Sequence, residues 1–353
     1  MIYKIEVLNN NRVNDYSDFI KKNSHNLFYT SIKFKLLLEK ILNIESFFLL
    51  AIDENDIVKG ALPLMVCYNP RFGNIANSLP FYGSNGEILF PDDTDETESE
   101  LIQKFLIREA ISFAKTKDCK LITFITNPFS QSKGWKSFEF DFVDERISQI
   151  KFLNIKIDSS DIGENLMGSL SGKTRNMVRK AFKSGIKYYT SNNISDFEFL
   201  YNTHVDNIRS LSGIAKPENF FHKIPEYFGN DNYKIYIAEK DGIKIAGLLL
   251  FYFNKSIEYY TPVIVNEYRN LQPLSLLIFE AMKDAINRGF KIWNWGGTWL
   301  SQDGVYHFKK MWGTEDLKYF YYVKIFDSDI LKIENQILQK EYPYFYCYPY
   351  NKG

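Results

Sequence analysis

The chain has 353 residues, with 43 Lys+Arg against 43 Asp+Glu and a formal net charge of zero. That length suits two domains, and 45% hydrophobic residues with 24% charged is globular usage, which excludes a disordered chain. The charge balance argues against a DNA partner, since nonspecific binding needs a basic excess to neutralise phosphates.

In chain order, residues 2–8 read as a strand and 31–42 as a helix. Ser31 is its N-cap, and Ile32, Leu36 and Ile41 fall at helical spacing. Two apolar runs, 47–52 and 57–67, flank a polar turn and predict a hairpin. Residues 74–86, rich in Gly, Asn and Ser, read as loop, and 101–117 as a helix followed by a strand at 121–126. Phe138, Phe140 and Phe142 alternate in strand fashion, and 149–157 is a further strand, with the domain boundary placed at 155/156. Helices follow at 162–170, 173–184 (ended by Gly185), 197–211 and 220–228, with a short strand at 186–189. Strands at 233–238, 244–253 and 256–263 come next, the first two joined by Asp241-Gly242, a tight-turn signal. A helix at 274–288, a strand at 291–295, a short helix at 305–312 and a strand at 317–326 complete the pattern. The expected class is α/β (α+β), a mixed, mostly antiparallel sheet with helices, occurring once in 1–155 and once in 156–353.

Cys67, Cys119 and Cys347 are scattered, with no CxxC pairing, and only four histidines are present. That pattern supports neither a disulfide framework nor a metal centre and suggests a reducing compartment. No apolar leader opens the sequence and no window nears about 20 consecutive apolar residues, so a cytoplasmic protein without a transmembrane segment is expected.

Three segments carry candidate chemistry. Residues 173–185 hold Lys173, Arg175, Arg179, Lys180 and Lys183 with no acid among them. Arg175 and Arg179, four apart, share a helix face with Val178 and Phe182 turned inward, and two guanidiniums can fork a phosphate. Gly172-Lys173-Thr174 is not a P-loop, because Met167 stands where that motif needs glycine. At 268–275 a strand, a turn and a helix start make a candidate backbone anion site, with Pro273 in the first helical turn and Gln272, Leu274 and Ser275 as candidate cofactor contacts. At 293–313, Gly296-Gly297 after a strand permits close approach of a ligand. On the following short helix Asp303 suits the N-cap, and Val305, Phe308 and Trp312 form the apolar stripe. Lys309 borders that stripe and His307 lies off it.

Taken in order, these segments resemble the GNAT (Gcn5-related N-acetyltransferase) superfamily, and within it the Fem-type branch of peptidoglycan aminoacyltransferases and their acetyltransferase-like relatives. The basic run 173–185 is similar to that branch's Arg-Asn-x-x-Arg-Lys-Ala-x-Lys-x-Gly signature. The strand pair around Asp241-Gly242, and the ending Gly296-Gly297, Phe308-Lys309, Trp312-Gly313, are similar to its other motifs. The resemblance implies two tandem GNAT domains and acyl transfer to an amine. It makes Lys309 the residue that steadies the negative transition state or a phosphate, and Arg175 and Arg179 the phosphate contacts.

The chemistry asks for positioning, an oxyanion site and a proton acceptor. Backbone N–H groups in 245–250 are candidates for the oxyanion, Asp303 or His307 for the acceptor, and Tyr260 for a donor to the leaving group. Tyr260 and Trp295 are expected to stack on sugar or base. The first expectation is an N-acyltransferase moving an acyl group from acyl-CoA to an amine on a nucleotide- or lipid-linked cell-envelope glycan precursor. The alternatives are an aminoacyl-tRNA-dependent transferase acting on a peptidoglycan precursor, and a catalytically silent GNAT-like glycan-binding protein. The entry at 271–275 lacks the Gly-x-Gly with which a GNAT loop wraps a coenzyme A pyrophosphate.

Overall fold

The computed structural model describes residues 3–81, 83–130, 134–155, 161–210, 213–298 and 303–347. Tyr82, Ile157, Leu211, Trp299 and Gln302, which fall in the expected segments, lie outside the described residues. The chain divides into two compact units, 1–146 with 318–353, and 147–317. The expected boundary at 155/156 thus lies near the division, whereas residues 318–353, expected in the second domain, belong to the first unit.

The first unit opens with β1 (Lys4–Val7), α1 (Val13–Phe19) and α2 (Ile32–Leu42), then β2 (Glu45–Ser46), β3 (Leu49–Ile52), β4 (Val58–Leu62), β5 (Met65–Cys67) and β6 (Asn74–Asn77). The 21-residue α3 (Glu96–Thr116) and β7 (Cys119–Ile125) follow. Ser31 caps α2 as expected, its hydroxyl accepting the Phe34 N–H at 3.2 Å. The buried face, however, is Phe34, Leu37 and Leu38, while Leu36 is exposed. Helix α3 begins earlier than its apolar periodicity suggests, because the Asp95 carboxylate accepts the Glu98 N–H at 2.9 Å and starts the first turn there. Strands β1, β3 and β4 form one antiparallel sheet. In the second sheet of this unit β5 pairs antiparallel with β6, and β6 runs parallel to β7. Strand β6 lies inside the segment expected to be loop. Its four residues alternate too little to show as a strand, and Asn77 is buried because its amide donates to the Tyr346 carbonyl at 2.9 Å. Phe138 and Phe140 are not in a strand; they pack beside Trp135 against the core.

The second unit begins within β8 (Phe142–Phe152) and continues through α4 (Ile162–Ser169), α5 (Gly172–Lys183), β9 (Lys187–Ser191), α6 (Ile194–Arg209) and α7 (Glu218–Tyr227). Then come β10 (Tyr233–Lys240), β11 (Ile243–Phe253), β12 (Ser256–Ile264), α8 (Pro273–Asn287), β13 (Ile292–Thr298) and α9 (Asp303–Lys310). Strand β14 (Glu315–Ile325) and α10 (Asn335–Glu341) lead back into the first unit, where β14 pairs antiparallel with β7. In the second unit the order is β8-β13-β12-β11-β10-β9, all antiparallel except the β12–β13 pair. The β10–β11 turn places Asp241 and Gly242 at φ 52° and 80°, the left-handed conformation their sequence suggests. Helix α8 is buried on most of its surface, and its side chains join Val178 and Ala181 of α5 and the β10–β12 strands in one core. A side chain at Gly247 would stand 2.7 Å from Leu200, so glycine there lets α6 lie close on the sheet.

Candidate active site

The site grows from two irregularities in the second sheet. Strands β12 and β13 pair in parallel only from Ser256↔Ile292 to Glu258↔Asn294, and then part. Across β12 from there, the β11 register jumps from Leu249↔Thr261 to Leu250↔Tyr259, so Tyr260 is an extra, bulged residue. A bulge removes backbone groups from the ladder and re-aims a side chain, as happens beside many active sites. Asn294, fully buried, braces the parting. Its amide donates to Glu258 Oε1 at 3.1 Å, and its Oδ1 accepts from Ser148 Oγ at 3.1 Å and from the Gly296 N–H at 2.8 Å. Gly296 has φ +72°, which favours glycine.

Lys309 enters this region from α9. It is 6% exposed, and its Nζ donates to the Thr298 hydroxyl at 2.7 Å and to the Gly297 and Gly296 carbonyls at 3.2 and 3.4 Å. The Thr298 hydroxyl donates on to Gln149 Oε1 at 3.1 Å, and Gln149 Nε2 donates to the Tyr306 carbonyl at 3.1 Å. Among the described residues no carboxylate pairs with Lys309, and burial pushes its ammonium down to about 7. The expected stripe on α9 holds in part: Phe308 and Trp312 pack against the core and meet Trp295, whereas Val305 is exposed and Lys309 is the buried residue of the helix. Asp303 and His307 are exposed, so the structure does not bring either proton-acceptor candidate to the buried side with Lys309.

Tyr260 is buried, its ring 5.5 Å from that of Phe220 and 5.1 Å from that of Phe251. Lys216, which the sequence reading missed, lies against it: Nζ is 4.8 Å from the ring centroid and donates to the Tyr260 carbonyl at 3.5 Å. Burial pushes the Lys216 ammonium down to about 7. Its backbone N–H donates to His204 Nε2 at 3.0 Å, and burial, with Lys216 beside it, pushes His204 down to about 3. Lys216 stands alone in a loop, where no periodicity marks it.

Trp295 was expected to stack on a ligand, and the structure corrects this. It is 2% exposed in the core, with its ring centroid 4.6 Å from Tyr259 and 5.8 Å from Trp312. Gly296 is half-buried and Gly297 exposed, so the paired glycines do offer backbone to a ligand. On α5, Ser171 caps the first turn by accepting the Thr174 N–H at 3.2 Å. Arg179 is exposed, whereas Arg175 is half-buried with Nη1 donating to the Leu170 carbonyl at 2.6 Å. Val178 is buried but Phe182 is exposed, meeting Phe279 edge-on. At the α8 entry Gln272 is left-handed, with φ 63°. Leu274 packs on the core, and buried Ser275 donates to Gln272 Oε1 at 3.3 Å, so these two side chains serve the helix start.

The first unit holds a cavity of about 580 Å³ lined by His25, Glu87, Phe129, Asn127 and Gln103 among others. Glu87 accepts the Asn127 N–H at 3.0 Å and the Ile88 N–H at 2.8 Å, yet burial raises its carboxyl to about 7. A folded-state pKa above the unfolded one means that the folded form holds the proton more tightly. Stability is therefore full below about pH 4 and falls as pH rises to about 7, by about 3 kcal/mol. Glu87→Gln should flatten that fall in urea titrations across pH 4–8; an unchanged profile would refute it. Among the described residues no group of His, Cys, Asp and Glu is arranged for a metal ion, and no helix is long and apolar enough to cross a membrane.

Residues 234–315 match the model of the FemAB family, and this stretch contains Tyr260, the parting strands and Lys309. Over these residues the chain resembles the FemAB family. Over 83 residues it is 33% identical to the Lipid II:glycine glycyltransferase of two Staphylococcus epidermidis strains, covering 22% of this chain and 20% of the relative. The chain thus matches about a fifth of the length of these curated relatives. Likeness of fold extends much further than this identity. The crystal structure of FemX superposes over 93% of this chain and 99% of that one, with a TM-score of 0.71 and 14% identity. A tandem GNAT protein from the clavulanic acid biosynthesis pathway covers 92% of this chain and 98% of its own, with a TM-score of 0.56 and 10% identity. The fold is that of tandem GNAT-like proteins, as the motifs implied.

Proposed function

We propose that this protein transfers an aminoacyl group from an aminoacyl-tRNA to an amine of a peptidoglycan precursor. The observation that carries the reading is Lys309, a buried ammonium that among the described residues is held by neutral oxygens alone, beside the parting of β12 and β13 and within the segment that matches the FemAB family. The name of the Staphylococcus epidermidis relatives supports a lipid-linked wall precursor as acceptor and amino-acid transfer as the reaction. The exposed cations of α5 support a donor with several phosphates. An acyl-CoA donor, first expected from the sequence, finds no comparable support at the α8 entry, where Gln272 and Pro273 stand in place of a glycine loop.

In this reading the acceptor amine attacks the ester carbonyl that joins the amino acid to the tRNA ribose. The C–N bond forms and charge gathers on the carbonyl oxygen; then the carbonyl re-forms, the C–O bond breaks, and the proton lost by the attacking nitrogen leaves on the ribose oxygen. Backbone N–H groups freed near the Tyr260 bulge would polarise the carbonyl, and Lys309 would stabilise the anion or protonate the leaving oxygen. Incubating the full chain with charged total tRNA and a UDP-linked or lipid-linked peptidoglycan precursor should increase the precursor mass by one aminoacyl residue. Transfer from acyl-CoA but not from tRNA would overturn the donor, and transfer from neither would overturn the reading.

A further inference from the structure

A second buried lysine lies along the same polar seam, and nothing above uses it. Lys151 on β8 is 6% exposed, and its side-chain Nζ has no hydrogen bond or ion pair among the described residues. It stands in register with Trp293, two residues from Gln149, so their side chains share a face of the strand. Gln149 belongs to the Lys309–Thr298 chain of hydrogen bonds, so the two lysines border one polar region, and among the described residues neither ammonium is paired with a carboxylate. Two like charges facing one region without a carboxylate partner are relieved by an anion beside them, and the Lys151 Nζ is not fully enclosed, so an anion can reach it.

The surroundings indicate where that anion comes from. The Lys151 Nζ is 3.3 Å from where a Cβ on Gly313 would stand, and Gly313 has φ +77° just beyond the end of α9. Two residues earlier the Met311 carbonyl accepts from Thr174 Oγ1 at 2.7 Å, so the first turn of α5 is tied within about 7 Å of chain from Gly313. From that turn Lys173, Arg175, Arg179, Lys180 and Lys183 run along a 12-residue helix. Such a helix is about 18 Å long, too long for one pyrophosphate and suited to a run of phosphodiesters.

We propose that Lys151 binds the phosphodiester of the RNA donor nearest its aminoacylated end, with α5 following the phosphates that precede it. This inference rests on the tRNA-dependent reading and adds to it the contact that delivers the strand end to Lys309. Burial lowers the Lys151 pKa, and a phosphate beside it would restore the charge.

The test uses the full chain and an RNA hairpin with a single-stranded ACCA end, titrated by fluorescence anisotropy at several salt concentrations. Lys151→Met should weaken binding about tenfold and reduce the slope of log affinity against log salt by about 0.7, the value for one single-strand phosphate. Lys151→Arg should restore both, and the melting temperature of Lys151→Met should match or exceed that of the parent. An unchanged slope in Lys151→Met overturns the inference while leaving the tRNA reading intact. A loss confined to binding of a UDP-linked precursor also overturns it, by assigning the phosphate to the acceptor. A parent protein that binds no RNA refutes the tRNA reading itself.

Discussion

Alanine in place of Trp295 is expected to destabilise the protein by about 3–5 kcal/mol, the range for removing a large aromatic from a packed core. Trp295 is 2% exposed and sits among Tyr259, Trp293, Phe308 and Trp312, with ring centroids 4.6 to 6.1 Å away. Its indole N–H is buried without an acceptor among the described residues, so the ring is held by packing and not by a polar contact. Trp295→Phe should recover much of the loss, because it refills part of the space and removes the unsatisfied donor. Urea unfolding checks this through the midpoint. A ligand-stacking role would give the opposite pattern, an unchanged midpoint with a raised KM for the acceptor, and that result would return Trp295 to the binding surface.

The expectation for Trp295 failed for a physical reason that recurs along the chain. An exposed aromatic ready to stack and a buried one packed in a core look alike in sequence, since both follow a strand residue and precede a glycine. The α9 stripe held only in part. Val305, Phe308 and Trp312 have helical spacing, yet only Phe308 and Trp312 pack on the core, while Val305 is exposed and Lys309 turns in to the Gly296 and Gly297 carbonyls. What was readable is local: the Ser31 and Ser171 caps, the Asp241-Gly242 turn, the unopposed cations of α5 and the order of the family motifs. Strand β6 escaped notice because its polar residues are satisfied by distant backbone, as with Asn77 and Tyr346. Lys151 was nearer to being readable, because Gln149, Lys151 and Leu153 alternate on a strand whose Leu153 is core. Lys216 gave no such signal.

Lys309→Met is expected to lower kcat by roughly 10²–10³, the usual loss when one donor to a developing anion is removed. The same change should raise stability. A lysine pushed from about 10.4 in the unfolded chain to about 7 in the fold is protonated first in the unfolded state as pH falls through that window, so it weakens the fold increasingly from pH 10 down to 7. Methionine has no proton to take up, fills a similar volume and removes that loss, so its melting temperature at pH 7 should exceed that of the parent. Opposite shifts in activity and stability are what a residue kept for function against the interest of the fold produces. The pH profile separates this from a merely structural role. In the parent, kcat/KM should fall as pH rises through about 7, because the ammonium is the working form. In Lys309→Arg any remaining activity should lose that fall, since a guanidinium stays charged. Full activity in Lys309→Met, or a pH profile that Lys309→Arg leaves unaltered, would remove Lys309 from the chemistry.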